Sequence, residues 1–165
     1  ELLYQLVVEG KCQRVLETGT DVGDSTRIFS TALQATGGSL TTVDIKPPVG
    51  DWPTTWPVKN IQFITGDSRQ VRLTQEVDLL FLDAHLADGN GYEQVKAELA
   101  QLGVWVKVGG QIVVDDTWHQ QFGEGITKAI REFCRGHGLV WTDYPQGHGI
   151  GVIEVTHGLP RPTPP

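Results

Sequence analysis

Residues 15–25 read VLETGTDVGDS. A short apolar run closes on an acid, Glu17. Gly19 and Gly23 then stand four apart, and Asp24 and Ser25 open a segment in which Ile28, Phe29, Ala32 and Leu33 recur at helical spacing. This order predicts a strand over 13–17, a glycine-rich turn, and a helix over 25–36 that Gly37 and Gly38 end. Glycine serves where the backbone needs positive φ or a ligand must come close, and free N–H groups at a helix start attract a carboxylate or phosphate. The turn is therefore a candidate cofactor cradle, weighed against an ordinary strand-to-helix turn. It is not the dinucleotide fingerprint, which would want glycines where Asp21 or Val22 stand, so a nicotinamide dehydrogenase is disfavoured.

Residues 39–45, SLTTVDI, predict a second strand whose Asp44 lies 25 residues beyond Gly19. In a βαβ cofactor domain an acid at about that distance hydrogen-bonds ribose hydroxyls, although an acid can also merely cap a loop there. Residues 60–65 form a third expected strand, followed by Gly66, Asp67 and Ser68, short groups able to read an adenine edge. Residues 77–83, VDLLFLD, are nearly all apolar and so predict a central strand covered on both faces. A fifth strand over 111–116, entered by a turn at 107–110, ends on Asp115 and Asp116. Ligands of open parallel sheets bind outside the carboxyl ends of the strands, so these strand-end groups share one edge.

Asp83, Asp115 and Asp116 would repel one another unless protons or a cation neutralised them. Oxygen-only ligands favour Mg²⁺, or Ca²⁺ or Mn²⁺, over zinc. The competing reading has one acid of the adjacent pair capping the following helix while the other meets solvent. Further helices are expected over 1–9, 92–102 and 123–135. The last two strands, 139–144 and 149–155, are separated by only four residues, too few for a crossover helix, so the final strand should run antiparallel to its neighbour. Residues 46–59 hold four prolines with Trp52 and Trp56 and read as a surface loop, the tryptophans more simply packing than stacking on a ligand. Residues 158–165 read as an extended or disordered proline-rich tail.

Composition sets outer limits. A chain of 165 residues, 39% hydrophobic and 20% charged, fits one globular α/β domain over 1–157. A net charge of -7 with scattered basic residues argues against nucleic acid as a partner. No apolar run is long enough to span a membrane and no secretory signal opens the chain, so a cytoplasmic location is expected. Cys12 and Cys134 are best read as buried free thiols. The chain contains no methionine, which suggests that residues precede Glu1.

With these segments in view, VLETGTDVGDS, TTVDIKP, ITGDS, VDLLFLDAH, VKVGGQIVVDD and GITKAIREF occur in the order found in class I S-adenosylmethionine-dependent methyltransferases, a resemblance covering residues 13–155. The chain looks most like the small metal-dependent O-methyltransferases of the catechol, cephalosporin-hydroxylase-like and macrolide-sugar types. The resemblance implies a Rossmann-like three-layer sandwich with a mostly parallel seven-stranded sheet, order 3-2-1-4-5-7-6, the last strand antiparallel. It implies S-adenosylmethionine contacts at Glu17, Gly19, Thr20, Gly23, Ser25, Asp44, Asp67, Ser68 and Asp83, and Mg²⁺ held by Asp83, Asp115 and Asp116. The expected partner is a small-molecule hydroxyl acceptor, with a homodimer left open. Many relatives place Lys or His three residues after the first metal-binding Asp as a base, whereas position 86 here is Leu and the histidine is His85. His85 and His119 are the candidate bases, each against a surface or packing role. The competing functions are a non-catalytic binding domain of the same fold and a metal-independent N- or O-methyltransferase.

Overall fold

The computed structural model describes residues 1–47, 61–84 and 91–161. Residues 48–59 of the expected tryptophan loop, and His85, lie outside these residues. Strand β1 (Arg14–Thr18) is buried from Val15 onward and runs into the glycine turn. Helix α2 (Asp24–Thr36) follows and stops where Gly37 adopts φ 71 and donates its N–H to the Leu33 carbonyl at 2.8 Å, a left-handed cap that suits glycine. Strands β2 (Ser39–Asp44), β3 (Ile61–Thr65) and β4 (Val77–Leu82) come next, and β4 is buried at every position, as its nearly all-apolar sequence requires, its one acid Asp78 accepting the N–H groups of Gln13 and Arg14 and pairing with Lys107. Helix α3 (Tyr92–Gln101), β5 (Val106–Asp115), α4 (Gly123–His137), β6 (Trp141–Tyr144) and β7 (Ile150–Glu154) complete the order, preceded at the N-terminus by α1 (Leu2–Glu9).

The seven strands among the described residues form one sheet in the order β3-β2-β1-β4-β5-β7-β6. The first four pairings are parallel, and β7 is antiparallel to both β5 and β6, as the short connection between the last strands predicts. Two cores flank the sheet. Leu3, Val7, Phe29 and Leu33 of α1 and α2 pack with Leu40, Leu79, Phe81 and Val113 on one face. Val95, Leu99, Ile126 and Ile130 of α3 and α4 pack with Leu16, Leu80, Leu82 and Ile112 on the other. Phe29 and Phe81 meet edge to face at 5.2 Å between ring centroids. Both cysteines are buried and free. None of the described helices is long and apolar enough to cross a membrane.

One expectation needs correction. Residues 107–110 are not a turn, because β5 begins at Val106 and passes through them. The Gly109 N–H donates to Val155 at 2.7 Å and the Val155 N–H to Gly110 at 3.0 Å, so the glycine pair stays paired while Gly109, at φ 81, takes up the register shift against β4. Of the expected tail, residues 158–161 are described, and two of them lie against the domain. Leu159 is buried in the core, and the Arg161 guanidinium lies 4.5 Å from the Trp105 ring centroid and pairs with Glu76.

Candidate functional site

The carboxyl ends of β1 to β5 open on a cavity of about 860 Å³. That volume is typical of small-molecule sites. Its lining includes the whole turn from Gly19 to Ser25, then Asp44, Asp67, Ser68, Asp83 and Asp115. The predicted cradle therefore assembles from groups distant in sequence, because parallel strands deliver their carboxyl ends to one edge.

Local chemistry fixes the turn. Gly19 has φ +83, and a Cβ there would lie 2.2 Å from the Asp83 carbonyl oxygen, so β1 and β4 approach too closely for any side chain. The Gly19 N–H donates to Val43 at 2.8 Å and the Asp83 N–H to Thr18 at 3.0 Å, which binds the turn to both neighbouring strands. Thr20 and Thr42 share a buried hydroxyl bond of 2.7 Å. Asp44 Oδ2 accepts the N–H groups of Thr20 at 2.9 Å and Asp21 at 3.0 Å, and Oδ1 accepts the Lys46 N–H at 2.9 Å. The predicted ribose acid thus clamps the cradle itself, and a carboxylate with about four lone-pair sites keeps capacity for a ligand.

Glu17 is placed differently from the other expected contacts. It is fully buried and absent from the cavity lining, and it accepts the hydroxyls of Ser25 and Thr26, each at 2.5 Å. Burial pushes its carboxyl above the ordinary range, while those hydroxyls and Thr42 pull it down. Its role is to hold the start of α2 from behind. At the far end, Asp67 caps the short 3-10 turn Ser68–Gln70 through the Arg69 N–H at 2.9 Å, and the Arg69 guanidinium holds the Asp67 carboxyl below its usual range. Ser68 is buried and accepts from Gln94 of α3 at 3.0 Å.

The acids of β4 and β5 do converge electrostatically. Burial first, then repulsion from Asp115, Asp116, Glu17 and Asp21, pushes the Asp83 carboxyl up to about 8. Of the three acids expected to hold a metal, Asp83 and Asp115 line the cavity and Asp116 does not. Asp116 adopts φ 60, and its Oδ1 lies 3.2 Å from His148 Nδ1. Among the described residues, no three His, Cys, Asp or Glu side chains are assembled to hold a metal ion. The expected three-carboxylate shell is therefore not preformed among the described residues, and Asp116 lies against His148 of the β6–β7 turn. The donor set still suits a hard cation in its chemistry, since carboxylates repelling one another at Asp83 would be relieved by positive charge.

His119 stacks on Phe122 at 4.6 Å, meets His148 edge to face at 5.2 Å, and accepts the Gln121 N–H at its Nδ1. It does not line the cavity. Beside it Trp118, 58% exposed, bonds Asp143. Sequence reasoning missed His148, whose position depends on how the last hairpin folds back, with the Trp118 N–H donating to the His148 carbonyl at 2.6 Å. It also missed Gln94 and Glu98, although their four-residue spacing beside the apolar pair Val95 and Leu99 was visible in the sequence.

A family model described as a methyltransferase domain matches residues 16–117. No curated protein matches the chain. Among solved structures, the SAH-bound methyltransferase PaMTH1 of Podospora anserina superimposes with a TM-score of 0.71 at 17% identity, over 93% of this chain and 76% of that one. An O-methyltransferase of Bacillus cereus in complex with SAH gives 0.64 at 19% identity, over 93% and 79%. The N-methyltransferase NodS of Bradyrhizobium japonicum gives 0.66 at 16% identity, over 92% and 89%. At these identities the likeness is one of fold. With the match covering more than half of the sequence and the strand order agreeing, the chain belongs to the family of methyltransferase domains and has the Rossmann-like methyltransferase fold.

Proposed function

We propose that the chain transfers the methyl group of S-adenosylmethionine to a hydroxyl oxygen of a small molecule. The observation that carries this reading is the cavity at the carboxyl edge, walled continuously by the turn from Gly19 to Ser25 and by Asp44. In it, Gly19 to Ser25 would seat the methionine part of the cofactor, Asp44 the ribose, and Gly66 to Ser68 the base. The SAH carried by the Podospora and Bacillus proteins supports the choice of cofactor. Transfer is in line: the acceptor oxygen forms a bond to the methyl carbon as the carbon–sulfur bond breaks, and its electron pair stays on sulfur. The protein's work is to hold oxygen and methyl at near-attack distance in a site shielded from water.

A divalent cation, Mg²⁺ by preference, would draw on Asp83, Asp115 and Asp116 at the same edge, where it would polarise the acceptor hydroxyl and lower its pKa. The observation favouring it is the repulsion that Asp115 and Asp116 impose on Asp83. A metal-independent transfer to N or O is the second reading, supported by the pairing of Asp116 with His148 and by the fold shared with an N-methyltransferase. His148, His119 and His85 are then the candidate proton acceptors. Calorimetric titration of S-adenosylhomocysteine tests the cofactor, and repeating it with Mg²⁺ or chelator tests the cation. Micromolar binding is expected, and its absence in both conditions would leave only the fold.

A further inference from the structure

Three buried side-chain atoms among the described residues have no hydrogen-bond partner: Thr18 Oγ1, Gln94 Oε1 and Glu98 Oε2. All three belong to one cluster. Gln94 and Glu98 stand one turn apart on α3, and Gln94 Nε2 donates both to Glu98 Oε1 and to Ser68 Oγ, each at 3.0 Å. Gln94 and Ser68 line the cavity, whereas Thr18 and Glu98, both 0% exposed, do not. Burial pushes the Glu98 carboxyl up to about 7, while the polar groups of Ser68, Gln94 and Thr18 pull it back and Asp67 adds repulsion; Thr18 Oγ1 stands near the carboxyl without the geometry of a hydrogen bond.

An element that only had to pack would do better with an apolar residue at 98, because a buried carboxyl with an unbonded oxygen is costly and a well-packed apolar replacement is often neutral or stabilising. What the acid contributes is orientation. A side-chain amide is nearly symmetric in shape, and its two ends are told apart only by their hydrogen-bond partners. Even with a proton on Oε2, Glu98 accepts at Oε1, so the Gln94 amide keeps its N–H end toward Glu98 and Ser68.

We propose that Glu98 is a positioning residue for the cofactor cavity, fixing the Gln94 amide and through it Ser68 as the wall against which the nucleoside end of the ligand seats. This rests on the S-adenosylmethionine reading above. Glu98 itself touches no ligand, and its effect passes through two side chains that line the cavity.

The test is calorimetry of S-adenosylhomocysteine with the full chain, alongside thermal unfolding. Glu98→Leu is expected to weaken binding roughly 10-fold, the scale of one lost buried hydrogen bond, while the unfolding temperature stays level or rises. Affinity and stability moving in opposite directions is a result that a merely structural role would not give. Glu98→Gln keeps an acceptor at Oε1 and is expected to restore binding to within about 2-fold of wild type. Glu98→Met serves as a second apolar replacement should Glu98→Leu fail to fold. A folded apolar variant that binds like wild type overturns the positioning role and leaves the cofactor reading intact. A wild-type chain that binds no S-adenosylhomocysteine overturns both.

Discussion

A Cβ on Gly19 would stand 2.2 Å from the carbonyl oxygen of Asp83 and 2.5 Å from its carbonyl carbon. Both are backbone atoms, so no rotamer change relieves the clash, and the φ of +83 adds strain for any L side chain. Gly19→Ala should therefore cost about 2–4 kcal/mol of stability and abolish S-adenosylhomocysteine binding. Gly37→Ala is the control. Its φ of +71 is also left-handed, yet nothing lies within 4 Å of the added carbon, so a loss of about 1 kcal/mol with unchanged binding is expected. Urea unfolding and calorimetry on the two variants separate cradle geometry from backbone strain.

Asp44 makes a second demand on the same turn. Its two oxygens take the N–H groups of Thr20, Asp21 and Lys46. Asp44→Ala leaves those donors without their acceptor, so the cradle should loosen and S-adenosylhomocysteine affinity should fall at least about 10-fold, with a stability loss of about 1–3 kcal/mol. Asp44→Asn retains one acceptor oxygen and should fall between. Equal affinity for wild type and Asp44→Ala would remove Asp44 from both the clamp and the ribose site.

How far these groups were legible depends on how local their cause is. The glycines at 19 and 23 and the acid ending β2 are written in short spacings, and the apolar run of β4 declares a central strand, so the sheet edge and its cradle follow from sequence. Glu17 was legible as an acid but not as a buried one, because its hydroxyl partners Ser25 and Thr26 come from the next element. The run 107–110 reads as a turn locally, and only pairing with Val155 keeps it in a strand. His148 and Leu159 reach their places through long-range packing of the last hairpin and the tail, for which no spacing rule exists.

Glu98 gives a pH dependence with a defined sign. Its ordinary value of 4.5 rises to about 7 in the folded chain, chiefly through burial, so the folded state holds the proton more tightly than the unfolded state. The group's contribution to stability is full below about 4.5, declines as pH rises through the folded value, and is lost above it. Glu98→Gln removes this dependence. Relative to wild type it should gain on the order of 3 kcal/mol between pH 4 and pH 8 in urea unfolding. Parallel stability curves for the two proteins would mean that the carboxyl titrates normally.

Asp83 shows the same sign at a higher pH, and there the effect reports on the cation. Burial and the neighbouring acids raise its carboxyl from 3.8 to about 8, so stability should fall as pH rises from the lower value through the upper one. A divalent cation held at this edge would favour the ionised form and reverse that loss. Millimolar Mg²⁺ should then raise the unfolding temperature of wild type more at pH 9 than at pH 6, by a margin that grows with concentration relative to its dissociation constant. Asp83→Asn should be more stable than wild type at pH 9 without Mg²⁺ and should gain nothing from the ion. Asp116→Asn separates the two readings of the acceptor side: loss of the Mg²⁺ effect assigns Asp116 to the cation, whereas an unchanged effect leaves it as the partner of His148. If wild type itself shows no Mg²⁺ effect at pH 9, the cation-assisted reading fails, and proton removal falls to the histidines beside β5.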